Sequence, residues 1–120
     1  MNVLLGMGAE DSLRVLEEAV ERAEAAGDDL TVAILEASSS TDPAALRPRA
    51  ESVLAEREFE AEVRSVSGHP ASQLLELAER EGYDRIVLGG GERSPLGKVS
   101  LGSIAAFVLL NAETTVTLVR

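Results

Sequence analysis

Five short runs of aliphatic and β-branched residues alternate with four amphipathic segments along the chain, and any fold has to satisfy that alternation. Val3-Leu4-Leu5, Leu30 to Leu35, Phe59 to Val63, Arg85 to Leu88 and Thr115 to Val119 read as strands. Between them, Leu13, Leu16, Val20 and Ala23 recur at helical spacing, as do Leu46, Ala50, Val53 and Leu54. Ala71, Leu74, Leu75 and Ala78 mark a third helix, and Ile104, Phe107, Val108 and Leu110 a fourth, expected from Leu101 to Leu110. Asp11 or Ser12 can cap the first helix and Gly27 stops it; Asp42-Pro43 opens the second, over residues 44–57, with Pro48 tolerable only near its start. Pro70 opens the third and Gly82 stops it. In the third strand Phe59, Ala61 and Val63 alternate with Glu60, Glu62 and Arg64, a half-exposed pattern that suits a sheet edge. Strands alternating with helices give an α/β fold, a five-stranded parallel doubly wound sheet in one domain over residues 1–120.

Composition narrows what such a domain can do. Eleven Lys and Arg face 21 Asp and Glu, a net charge of −10, so a nucleic-acid backbone is repelled and no nucleic-acid partner is expected. Cysteine is absent, which removes disulfides, thiol catalysis and Cys-based metal centres, and the one histidine, His69, cannot form a His-rich metal site. Two Phe, one Tyr and no Trp leave little surface on which bases could stack. No apolar run approaches the roughly 18 residues that span a bilayer, and Met1-Asn2-Val3-Leu4-Leu5 lacks a basic leader start, so a cytoplasmic protein without a membrane partner is expected.

In an open doubly wound sheet, ligands bind beyond the carboxyl ends of the strands where strand order reverses. With order 2-1-3-4-5 or 3-2-1-4-5, the first strand sits at that reversal. The loops that follow it and its neighbour across the switch are Gly6-Met7-Gly8 and Gly89-Gly90-Gly91, the two richest glycine clusters. Glycine permits close backbone approach to a ligand, and the free N–H groups opening the fourth helix, around Gly102 and Ser103, suit an anion such as phosphate. The same residues also serve a sharp corner and a helix cap. Neither the dinucleotide pattern nor the Walker pattern is present, because position 94 is Ser and Gly97-Lys98 is followed by Val99.

The connection from Gly89 to Ser100 resembles that of the universal stress proteins, whose nucleotide-binding members carry G-x2-G-x9-G-[ST] between the fourth strand and the fourth helix. Anchoring on Gly102-Ser103 places the first glycine at Gly89. Tyr83 to Leu88, Ser94, Leu96, the Gly68-His69-Pro70-Ala71 turn and the closing Thr115 to Val119 strand agree with the family. The resemblance implies the adenine nucleotide alpha hydrolase-like order 3-2-1-4-5, with ATP or AMP as possible ligand at Gly8, Gly89, Gly91, Ser94, Gly102 and Ser103. Two positions depart from it. The motif's second glycine falls at Glu92, and the aspartate that members often place after the first strand falls at Gly8. A carboxylate about 4 Å from a phosphate charge costs roughly 4 kcal/mol at an effective dielectric of 20, or about three decades of affinity. Arg93, Lys98 or a shared magnesium ion could offset it.

The expectation is therefore a stress-response protein with a degenerate or weakened adenine-nucleotide pocket. The alternative is an ATP- or AMP-binding member that hydrolyses ATP slowly or switches on nucleotide. A phosphoacceptor receiver shares the architecture but needs an aspartate ending the third strand and a lysine ending the fifth, where this chain has Ser65-Val66-Ser67-Gly68 and Leu118-Val119-Arg120. No catalytic or metal-ligating constellation is expected, since Ser94 lies in no Gly-x-Ser-x-Gly elbow. The uncovered edge of the last strand invites pairing with a second copy, and family members commonly dimerise through it, so a homodimer is expected.

The charge of −10, with ten of the eleven cations Arg, fits a salt-loving protein, because self-repulsion destabilises the compact state and salt screens it. The melting temperature is accordingly expected to rise steeply between about 0.1 and about 3 M potassium chloride. A calorimetric melting temperature indifferent to salt would sink that expectation.

Overall fold

The computed structural model describes residues 1–7, 13–35, 43–66, 69–89, 92–93, 99–100 and 103–119. In chain order the elements are β1 (Asn2–Met7), α1 (Leu13–Ala26), β2 (Asp29–Leu35), α2 (Pro43–Glu56), β3 (Glu62–Val66) and α3 (Pro70–Arg80). They continue with β4 (Arg85–Gly89), β5 (Glu92–Arg93), β6 (Val99–Ser100), α4 (Ser103–Asn111) and β7 (Thr115–Val119). Five strands form one parallel sheet of order β3-β2-β1-β4-β7, which is the 3-2-1-4-5 arrangement once the two-stranded β5-β6 sheet is set aside.

β1 is central and buried on both faces from Val3 onward, which is why it reads as a continuous apolar run. Val3, Leu5 and Met7 point into a core shared with Val15, Leu16, Ala19 and Val20 of α1 and Leu46, Ala50, Val53 and Leu54 of α2. Leu4 points the other way, into a core with Ala71, Leu74, Leu77 and Ala78 of α3 and Ala105 and Val108 of α4. Period-2 alternation in the strand thus meets 3.6-residue spacing in the helices on each face. Leu77 joins the expected inner positions of α3, while Leu75 is only partly buried.

Three helices end in the same way. Asp28 N–H reaches back to the Ala23 carbonyl at 2.9 Å, Phe59 N–H to Leu54 at 3.0 Å and Tyr83 N–H to Ala78 at 3.0 Å. Each bond closes over a residue in the left-handed region: Gly27 at φ 72°, Glu58 at φ 52° and Gly82 at φ 68°. Glycine fulfils that requirement twice, and Glu58 meets it against the preference of its Cβ. This turn also corrects the third strand. Phe59 and Ala61, expected inside it, precede it and pack against the first core, while β3 itself begins at Glu62. At the far end of the sheet, Asn2 N–H donates to the Asp84 carboxylate and Asp84 N–H to the Asn2 carbonyl, both at 2.8 Å.

Gly6 departs from its expected place in a loop. It lies within β1, where a Cβ would meet Leu74 Cδ2 at 2.8 Å and Leu88 Cδ2 at 2.9 Å. Both leucines are buried, so neither can swing into solvent. Gly6→Ala is expected to destabilise the fold by about 1 to 2 kcal/mol, overpacking outweighing the gain from a less flexible unfolded chain. A lower urea midpoint at unchanged slope would register it; an unchanged midpoint would count against this packing role.

Candidate functional site

β1 and β4 are hydrogen-bonded neighbours, with Gly6 opposite Leu88. The crossovers that leave them run opposite ways, toward β2 from β1 and toward β7 from β4. The order reverses between these two strands, so their carboxyl ends, Met7 and Gly89, flank the crevice where such sheets bind ligands. Met7 is fully buried and forms part of the floor of the first core, whereas Gly89 is half-buried and pairs with Val119.

Beyond Gly89 the long connection is not a plain loop. β5 and β6 pair antiparallel, Glu92 opposite Ser100 and Arg93 opposite Val99, which folds the connection back on itself. α4 then starts at Ser103, the residue expected to present its N-terminus to an anion. Of the six expected ligand residues, Gly89 ends β4 and Ser103 opens α4, while Gly8, Gly91, Ser94 and Gly102 lie outside the described residues. Lys98 lies outside them as well. Glu92, the position that departs from the glycine pattern, sits on the backbone of β5.

His69 belongs to the same rim of the sheet, at the connection from β3 to α3. It caps α3: Nδ1 accepts a hydrogen bond from Ser72 N–H at 3.2 Å, with Pro70 at the first helical position. Its ring lies 5.3 Å from that of Phe107 at a tilt of 56°, tying the start of α3 to α4. The turn role expected for His69 is therefore its structural role, with Nδ1 committed to the cap. Nothing in the apolar period of the sequence announced the Phe107 contact, but a side-chain acceptor directly before Pro70 is the signal for the cap.

Among the described residues, the one group whose ionisation is clearly displaced is remote from this crevice. Arg64 of β3, two strands from β1, is held above the ordinary guanidinium value, chiefly by its hydrogen bond to Glu81 and further by the charges of Glu81 and Glu62. Among the described residues no group of three His, Asp or Glu side chains could hold a metal ion, and no helix is long and apolar enough to cross a membrane.

A five-stranded parallel sheet that reverses its order between β1 and β4, with a long glycine-bearing connection after β4, is a doubly wound α/β domain. A sequence model of the universal stress protein family matches residues 1–120, and the chain belongs to that family. It is similar to a universal stress protein of Archaeoglobus fulgidus, with a TM-score of 0.79 at 24% identity, covering 100% of this chain and 98% of that one. It is also similar to a universal stress protein solved in complex with cAMP, with a TM-score of 0.76 at 30% identity, covering 100% of this chain and 96% of that one. A universal stress protein of Methanocaldococcus jannaschii is 36% identical over 55 residues. That match takes in 46% of this chain and only 32% of the relative.

Proposed function

We propose that this chain is a stress-response protein that acts as a homodimer and carries a weakened adenine-nucleotide pocket at the carboxyl ends of β1 and β4. The observation that carries the pocket is the juxtaposition of those two strands at the reversal of strand order, with Gly89 at the mouth and α4 opening at Ser103. The relative in complex with cAMP, 30% identical over the whole chain, supports adenine as the base. The weakening is argued from Glu92. Glu92 occupies the sequence position where the family's nucleotide-binding motif has glycine, and a carboxylate there carries the same sign of charge as a phosphate.

The dimer reading rests on α4 and β7. In the stretch from Val99 to Val119 only Glu113 is charged, in a chain whose net charge is −10. Two copies meet with less charge repulsion through such a face than through the acid-rich helix faces. α4 is apolar all round: Ala105 and Val108 turn into the core, while Phe107, Leu109 and Leu110 face outward, Leu110 at 84% exposure. β7 beside it is an edge strand with one free row of backbone groups. A two-fold pairing of β7 strands would satisfy that row and cover the outer face of α4.

Two measurements test these readings. Calorimetric titration with ATP, ADP, AMP and cAMP in magnesium should show binding to Glu92→Gly at least about a hundredfold tighter than to the native chain. Equal affinity would refute the weakened pocket. Size-exclusion chromatography with light scattering should give a dimer whose dissociation constant rises by about tenfold or more in Leu110→Glu. A native monomer at micromolar concentration would rule the dimer out.

A further inference from the structure

The sheet ends on two edges, β3 and β7, and they are treated differently. β7 carries Thr115-Val116-Thr117-Leu118-Val119 with no charge, and none of its backbone groups is bonded by a side chain among the described residues. Across β3 lies Arg47, reaching from α2. Its Nη2 donates to the Val63 carbonyl at 2.8 Å and its Nη1 to Ser65 Oγ at 3.2 Å. Its Nε donates to the Glu51 carboxylate at 3.1 Å, which fixes the guanidinium in place. The side chain spans a cleft lined by Leu54, Phe59 and Val63.

We propose that Arg47 closes the β3 edge against a second copy of this chain, and so confines strand pairing to the other edge of the sheet. The β3 sequence is complementary to itself. Two β3 strands related by a two-fold axis run antiparallel, and a register centred on Val63 sets Glu62 of each copy opposite Arg64 of the other. In that register the central Val63 pair needs the carbonyl that Arg47 occupies. The cleft beside it supplies apolar surface for such a partner. A sheet open at both edges and self-complementary at each grows without limit, because one two-fold contact at β7 and another at β3 generate an endless row. A guanidinium suits this role better than an ammonium, since its planar fork holds the strand carbonyl, the serine hydroxyl and the glutamate together.

The test is Arg47→Met in the 120-residue chain, which keeps the side-chain stem and helix propensity and removes every donor. Light scattering at matched micromolar concentration should give at least a doubled mass, with new hydrogen-exchange protection in residues 62–66. Adding Arg64→Glu should return the mass to the native value, because Glu62 then meets a like charge. A folded Arg47→Met of native mass, or a larger species with protection elsewhere, would overturn the proposal. Should Arg47→Met fail to fold, Arg47→Lys replaces it: a mass increase supports the proposal and a native mass overturns it. The proposal leans on the dimer reading only for where the native contact lies. A monomeric native chain would end that reading, yet Arg47→Met should still double its mass through β3.

Discussion

The position of β1 governs the rest of the molecule. It is paired on both sides and covered on both faces, so every residue from Val3 to Met7 must be apolar or absent of side chain. Apolar side chains take four of those five places, and α3 comes down against the remaining one, Gly6. Leu74 and Leu88 meet over Gly6, so Leu74 of α3 lies directly against the strand. With α1 and α2 on one face and α3 and α4 on the other, the crossovers must leave β1 and β4 in opposite directions. The crevice at the carboxyl ends of those strands is a geometric consequence of how the centre is packed.

Most of the fold is legible in the sequence because the two periods that report burial are clean. Leu16, Val20 and Ala23 of α1 and Leu46, Ala50, Val53 and Leu54 of α2 recur at helical spacing and are buried as that spacing predicts, and β2 reads as apolar from Val32 to Leu35, where it is buried on both faces. Gly27 and Gly82 mark helix ends because the left-handed turn there favours glycine. The β3 boundary is hidden in the sequence for the complementary reason. The same turn after α2 is made by Glu58, which carries no signal, and Phe59 packs back as the turn's hydrophobic partner of Leu54. Its alternation with Ala61 and Val63 then mimics a strand.

The candidate site was legible in outline and not in detail. The clusters at Gly6-Met7-Gly8 and Gly89-Gly90-Gly91 mark the carboxyl ends of β1 and β4, the two strands between which the order reverses. They did not separate a glycine that admits a ligand from one that admits a leucine, and Gly6 is the latter. Nor could periodicity reveal β5 and β6. Two residues are too few to show an alternation, and both Glu92 and Arg93 read as loop charges.

A net charge of −10 first excludes a polyanionic partner, but its structural meaning is more selective. Like charge on every copy forbids association wherever acids are spread evenly, so contact is left to surfaces that are neutral or internally paired. α4 and β7 form the neutral surface, with Glu113 as their single charge. β3 is the paired one: Arg64 bonds Glu81 and lies 3.8 Å from Glu62, while Arg47 bonds Glu51. Neutrality by pairing makes the β3 edge self-complementary as well, for Glu62 and Arg64 alternate in the order that a two-fold axis exchanges. Charge alone therefore cannot choose between the two edges. The choice falls to hydrogen bonding at one carbonyl, which is why the arginine that crosses Val63 matters more to assembly than its exposed position on α2 suggests.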